Sequence, residues 1–391
     1  MGRQFLRPSY IELDKTALIN NLKFLRSKAG DGLRISSVIK GNAYGHGISN
    51  YLPIAEDCGI DHFSVFSAYE AEGAHKFRTK SSTDIMIMGM IRNDEIRWAI
   101  EHGIEFYLFE KDRLESAIEA AKEIGRKACI HLQIETGMNR TGFEKEQWKE
   151  VFERVKSQKE HLDLRGICTH YAGAESVANY YRVQNQDQLF KEAVELAKTI
   201  FPKLPSLHAA SSAAFLTYPG MHYDMVRIGI AQYGFWPSRE TYMHILKQDN
   251  SFTKDPLIRV LNWKSEIMST KWVGEGEFIG YGNVFMTSHK MRIATIPIGY
   301  SHGFGRNLTN AGYVLINGAR ARVVGLVNMN MLTVEITDMP EAKKGDEVVI
   351  IGKQNGQEIT VASFGEMSNN LNYEVLTRLP AGIPREVLGD I

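Results

Sequence analysis

At 391 residues the chain is longer than one hydrophobic core usually spans, so one large and one smaller domain are expected. Hydrophobic residues at 43% and charged residues at 24% exclude a mostly disordered chain, and 46 basic against 46 acidic residues leave no net field to attract nucleic acid. With no apolar run of about 18 residues and no h-region after the N-terminal arginines, a cytoplasmic protein with no membrane partner is expected. Cys58, Cys129 and Cys168 are odd in number and lie in apolar contexts, which predicts buried thiols; neither a disulfide framework nor a metal site is expected.

Residues 9–13 read as a short strand that could pair with the later β region, and 16–28 as the first helix. From 33 to about 230, short β-branched or apolar runs alternate with longer amphipathic stretches, the pattern of βα units around a parallel sheet. Eight strands are predicted, at 35–39, 62–66, 84–88, 105–108, 129–134, 164–169, 206–209 and 223–228. Helical spacing of apolar residues marks 68–77, 111–124, 144–156 and 183–200. The combination predicts an α/β fold, a (β/α)₈ barrel of TIM type over residues 10–240. After Trp236 and Pro237 the character changes, with strands predicted at 257–270, 291–298, 312–316, 321–327, 332–336 and 347–351 and hardly any long helical pattern. A mostly β C-terminal domain, built from 241–391 with 1–9, is therefore expected.

In such barrels the reacting groups sit after the carboxyl ends of the strands. The first strand leads into Lys40-Gly41-Asn42-Ala43-Tyr44-Gly45-His46-Gly47, the fifth into Glu135–Arg140, the sixth ends at His170, the seventh reaches Ser211 and Ser212, and the eighth carries Arg227, Gly229 and Ile230. A lysine ending an apolar strand is partly desolvated, which lowers its pKa and frees a neutral amine for a Schiff base. Alone, Lys40 reads equally well as a snorkelling core-strand lysine, and the serines as an ordinary turn. Their convergence on one rim, with backbone N–H groups after the last two strands placed to surround a phosphate, favours a pyridoxal 5'-phosphate site.

The lysine string resembles the cofactor-lysine motif of the alanine racemases, the fold-type III pyridoxal-phosphate enzymes. The segments RPSYIELDKTALINNL, ETGMNRTGF, CTHYAGAE, HAASSAA, DMVRIGIAQYG, GEGEFIGYG, PIGYSHGF and NYEVLTRLPAGIPRE resemble their counterparts in order and spacing, so the resemblance covers essentially the whole chain. It implies a homodimeric isomerase interconverting L- and D-alanine and supplying D-alanine for peptidoglycan. Lys40 would act on one face of the substrate Cα and Tyr281 of the partner subunit on the other. It further implies that Tyr44, Ser212, Gly229, Ile230 and Tyr373 hold the cofactor phosphate. Arg140 would hold the cofactor's phenolic oxygen and the substrate carboxylate, Arg227 would face the pyridine nitrogen, and His170 and Arg227 would neighbour Tyr281. The Met329 amide would reach the carboxylate, and Tyr300 with Tyr373 would narrow the entrance.

Several positions depart from the family pattern. Gln133 stands where the family often has a carbamylated lysine, so Arg140 is expected to be braced by a neutral amide or an anion. Gly325-Leu326-Val327-Asn328-Met329-Asn330-Met331 lacks the usual arginine, cysteine and aspartate; His302 replaces an aspartate and Ser211 an asparagine. These changes leave room for a serine or broad-specificity racemase of the same fold. A decarboxylase or aldolase is disfavoured by Arg227 and Tyr281, and a non-catalytic cofactor carrier by the full second domain.

Overall fold

The computed structural model describes residues 7–248, 252 and 254–389. Residues 1–6 of the 1–9 segment assigned to the second domain lie outside the described residues, as do 249–251, 253 and 390–391 of its C-terminal part. The chain divides into two compact units, one of residues 17–43 and 51–258 and one of residues 1–16, 44–50 and 259–391.

The first unit is a parallel eight-stranded sheet rolled into a nearly closed barrel. Its strands are β2 (Arg34–Val38), β3 (His62–Ser67), β4 (Asp84–Met90), β5 (Glu105–Leu108), β6 (Ala128–Gln133), β7 (Leu162–Cys168), β8 (Ser206–His208) and β9 (Met225–Ile228). They run in sequence order from β2 to β8, and β9 closes back onto β2. Between β8 and β9 the seam is held by a Ser211–Arg227 bridge and by Asp224 N–H to Leu207 O at 2.9 Å. Every predicted barrel strand is present within a few residues. The helices Ala68–Phe77 and Lys111–Ile124 fall where the apolar spacing put them. In the latter, Leu114, Ala117, Ile118 and Ala121 share one buried face, and Gly125 ends the helix at φ 71°, a left-handed position that favours glycine.

The second unit is mostly β. A sheet ordered β14 (Ala319–Arg322), β13 (Tyr313–Ile316), β16 (Glu347–Gln354), β10 (Leu261–Glu266), β1 (Ser9–Asp14) and β18 (Arg385–Leu388) carries β17 (Gln357–Ile359) as a hairpin on β16. A three-stranded sheet holds β11 (Ser269–Val273), β12 (Met291–Ile296) and β15 (Leu332–Glu335). The N-terminal strand joins this unit, antiparallel to β10 and parallel to β18. Trp263, Phe304 and Phe364 pack edge-on or tilted in its core, and Trp263 Nε1–H donates to Ser9 Oγ at 2.7 Å.

Two expectations need correction. The single strand read at 257–270 is two strands in two different sheets, β10 and β11. The two helices Val361–Ser368 and Asn372–Thr377 are short, in keeping with the scarcity of long helical pattern in this region; Thr360 caps the first by accepting from Ser363 N–H. Of the cysteines only Cys168 is buried: Cys129 is the second residue of β6 and partly open, and Cys58 follows a helix end.

Candidate active site

Lys40 follows β2 directly. The chain then turns through four consecutive left-handed residues, Gly41 (φ 62°), Asn42 (φ 53°), Ala43 (φ 53°) and Tyr44 (φ 50°), closed by Ala43 N–H to Ile39 O at 2.7 Å. Three of these carry a Cβ, and each such residue costs roughly 1–2 kcal/mol in this region. Strain of this kind persists where the surroundings over-determine it, commonly at functional sites. Gly41 N–H donates to Glu70 Oε1 at 2.6 Å, while Glu70 Oε2 accepts from Phe66 N–H at 2.8 Å. Glu70 therefore clamps the turn to the end of β3. Sequence reasoning missed it, although Ser67-x-x-Glu70 at a helix start was a readable capping signal.

Arg227 enters from β9 with its side chain buried. Nη1–H donates to His208 Nδ1 at 2.6 Å, and Nη2–H donates to Thr169 O at 2.7 Å and Ala209 O at 2.9 Å, with a longer approach of 3.4 Å to His170 Nδ1. His170, at the end of β7, is pulled down to about 3 by burial and then by the charges of Arg227, Arg140 and Lys40. It is neutral at physiological pH, and because Nδ1 faces a donor its proton sits on Nε2. Lys40 is an exposed residue, yet enough protein surrounds the amine that desolvation, followed by the charge of Arg140, lowers its pKa; Glu70 opposes this and Arg227 adds to it.

Arg140 is exposed on the loop after β6. Glu135 shapes that loop: its Oε1 accepts from Gly137 N–H and from Met138 N–H at 2.7 Å, and Oε2 accepts from Arg140 N–H at 3.3 Å. Gln133 is buried and its Oε1 accepts from Thr141 Oγ1–H at 3.2 Å. Buried Gln186, unremarked in the sequence, ties the neighbouring loops by accepting Ala172 N–H at 2.8 Å and donating to His170 O at 3.1 Å. After β8, Ser212 Oγ accepts Gly229 N–H at 2.8 Å, beside the turn that begins at Ile230. Ser211 is the N-cap residue of Ser212–Thr217. Lys40, Arg140, His170, Ser212, Arg227, Gly229 and Ile230 thus all stand at the carboxyl end of one barrel, with enough positive charge near one amine to accept an anion.

The remaining predicted residues belong to the second unit. Tyr44 is buried and its ring lies 6.0 Å from that of Tyr373, which is 40% exposed. Tyr300 N–H donates to Asn328 O and Ser301 N–H to Met329 O, both at 3.0 Å, so the two loops carrying Tyr300 and Met329 are one construction. Asn330 Nδ2–H reaches Ser301 Oγ at 3.0 Å, and the His302 ring accepts Gly299 N–H at 3.3 Å. The substituted positions therefore brace this loop pair. Tyr281 stands on a hairpin tip between Gly280 (φ 74°) and Gly282 (φ 76°) and is 75% exposed, flanked by exposed Phe278 and Met286.

A barrel rim that presents a lysine amine of lowered proton affinity, two arginines and a neutral histidine is a candidate site for an anionic ligand and for chemistry at the amine. Comparison with known proteins agrees. Residues 13–237 match the alanine racemase N-terminal domain and 260–387 the alanine racemase C-terminal domain. The alanine racemase of Leptospira interrogans is 35% identical over 97% of this chain and 96% of its own length; that of Symbiobacterium thermophilum is 31% identical over 97% of each. Among solved structures, alanine racemase from a D-cycloserine-producing Streptomyces lavendulae superposes with a TM-score of 0.89 at 27% identity over 99% of both chains. The Bacillus anthracis alanine racemase with bound L-Ala-P does so at 0.89 and 28%, over 99% of this chain and 97% of that one. The chain belongs to the alanine racemase family.

Proposed function

We propose that this protein interconverts L- and D-alanine, with pyridoxal 5'-phosphate carried on Lys40, as a homodimer in which Tyr281 of the partner subunit completes each site. The observation that carries the reading is the barrel rim itself: an amine of lowered pKa beside Arg140 and Arg227, with the Arg227 guanidinium bonded to carbonyls and an imidazole. Family membership supports alanine as substrate.

Bound at this rim, the cofactor would supply delocalisation of the electron pair left when the Cα proton departs. The residues present fit it. Ser212 would offer its hydroxyl and Ile230 its N–H for the phosphate, beside Gly229, whose own N–H is held by Ser212 Oγ; Tyr44 and Tyr373 are the further candidates that the family resemblance implies, and Arg140 would offer a fork of donors for the phenolic oxygen and the substrate carboxylate. Met329 and Tyr300 would meet the substrate side. Arg227 donates only, because a guanidinium keeps its protons in a protein, so it would leave the ring nitrogen unprotonated. Racemisation needs a proton removed from one face and another delivered to the opposite face; Lys40 and the partner subunit's Tyr281 would be those two groups. His170, neutral with its Nε2–H outward, would donate a hydrogen bond to the tyrosine oxygen. The exposed apolar hairpin around Tyr281 supports a partner surface. In the cell the product would serve as a cell-wall precursor.

The test is circular dichroism of L-alanine incubated with the purified protein and added pyridoxal 5'-phosphate. Loss of signal toward the racemic value, with L-serine much slower, is expected. An unchanged alanine signal from a protein that has taken up the cofactor would overturn the substrate assignment.

A further inference from the structure

Beneath the rim a polar chain crosses the interior of the barrel. Arg227 (β9) donates to His208 Nδ1 at 2.6 Å; His208 Nε2 lies 2.9 Å from His131 Nδ1; His131 Nε2 lies 2.8 Å from Glu105 Oε2. From the far side, His62 Nε2 approaches the same Glu105 oxygen at 3.0 Å, and His62 Nδ1 meets Ser36 Oγ at 2.8 Å. All of these side chains are buried, and together they draw on β2, β3, β5, β6, β8 and β9. The strand between β6 and β8 contributes a gap: a Cβ on Gly166 would fall 2.2 Å from His131 Nδ1 and 2.9 Å from His208 Nε2. Gly166 does not have the left-handed backbone that favours glycine, so the close approach of the two imidazoles is what the position requires.

The direction of each bond follows from its ends. A guanidinium can only donate, so His208 Nδ1 is bare and its proton is on Nε2. That proton points at His131, whose Nδ1 must then be bare and whose Nε2–H must point at Glu105. Burial lowers the pKa of His131 and takes that of His208 well below the ordinary value, which leaves both rings neutral. Burial opposes ionisation of Glu105, but the interactions with His131 and then His62 outweigh it and hold the carboxyl well below its usual range, an acceptor only. Both ends are charged and the middle is neutral, so two imidazoles with four possible tautomer combinations are left with one.

We propose that Glu105 is a positioning residue for Arg227: the one-way donor chain Arg227 to His208 to His131 to Glu105, for which Gly166 clears the space, sets both imidazole tautomers and thereby the orientation of the guanidinium. That the oriented guanidinium then serves the cofactor's ring nitrogen rests on the function proposed above. The chain also gives buried Arg227 its counter-charge at a distance, because among the described residues no carboxylate bonds it directly; an oriented, neutral-bridged pair keeps the guanidinium's remaining donors for the rim.

The first experiment is long-range ¹H–¹⁵N correlation of the histidine rings in the unmutated protein, with His131 and His208 assigned by the signals lost in H131Q and H208Q. Both rings protonated on Nε2 alone supports the proposal; a proton on Nδ1 of either, or on both nitrogens, overturns it. Variants extend the test. E105L removes the terminal acceptor and is expected to give mixed tautomers and a kcat lowered about 10–100-fold, the scale seen when outer supporting residues are lost, with KM within about twofold. E105Q keeps an accepting oxygen and is expected to hold the tautomers and recover most of that kcat. G166A leaves the carboxylate alone but drives a methyl between the imidazoles, and should reproduce E105L. Equal losses in E105Q and E105L, or wild-type tautomers in E105L and G166A, would refute the chain. A protein that takes up no cofactor and makes no D-alanine would sink the functional reading, while the ring spectra would still decide the tautomers.

Discussion

Replacing Arg227 by lysine keeps the positive charge and removes the fork, which separates charge from geometry. In the structure Nη1 serves His208 Nδ1 at 2.6 Å while Nη2 serves Thr169 O at 2.7 Å and Ala209 O at 2.9 Å. A single ammonium nitrogen cannot stand at both places, so at least one buried acceptor loses its donor, and more if the ammonium drifts to the rim. Each buried polar group left unsatisfied costs about 1–3 kcal/mol, so R227K is expected to lose about 2–5 kcal/mol of barrel stability. With the donor chain broken at its head, kcat is expected to fall about 10–100-fold, as for lost outer-shell partners. The assay is urea unfolding followed by far-ultraviolet circular dichroism, with racemase turnover measured on the same preparation. A lower midpoint at unchanged slope is expected. An R227K protein with wild-type midpoint and turnover would refute the reasoning, because charge alone would then suffice.

Other outcomes follow from the same geometry. Gly45→Ala should cost about 3 kcal/mol or more, from the left-handed φ of 81° and a Cβ set 2.1 Å from Leu376 O, and should show as a clearly lowered thermal midpoint; an unaffected midpoint would count against the described backbone. His170 has a folded pKa of about 3, below its unfolded value of about 6.5, so the unfolded state takes up the proton first and stability falls as pH drops through that window. H170Q should flatten this fall between about pH 7 and pH 4, read from urea midpoints, and an identical slope in both proteins would contradict the assignment. Tyr281→Phe should leave the fold and the subunit association intact, since the ring stays and the side chain is exposed, while turnover drops about 10²–10⁴-fold; normal turnover would remove the tyrosine from the mechanism.

The barrel was legible because its strands are short apolar runs at regular intervals and its helices bury one stripe; Lys111–Ile124 could be read to the residue. The placement of most candidate residues at the barrel rim was legible because they follow strand ends, whereas Arg227 lies within β9. The second unit was less so. Val361–Ser368 and Asn372–Thr377 are too short to establish a 3.6-residue period, and the two-sheet fate of 257–270 depends on pairing partners distant in sequence. The buried chain from Arg227 to Glu105 left the weakest signal. Glu105 opens β5, His131 sits within β6 and His208 closes β8, and nothing in one strand's pattern tells that three such residues point to the same interior; only closure of the barrel brings them together. Gly166 reads as an ordinary strand glycine until the imidazoles on either side are in place.

The central claim is that each site is shared between two copies, with Lys40 from one and Tyr281 from the other. Co-expressing K40A with Y281F chains tests it most directly. Each variant alone is expected to be nearly inactive. With random pairing half the dimers are mixed, and one of the two sites in each mixed dimer holds both residues, so the mixture should regain about one quarter of wild-type racemase activity. A mixture that stays as inactive as its components, in a preparation shown to contain mixed dimers, would contradict the account.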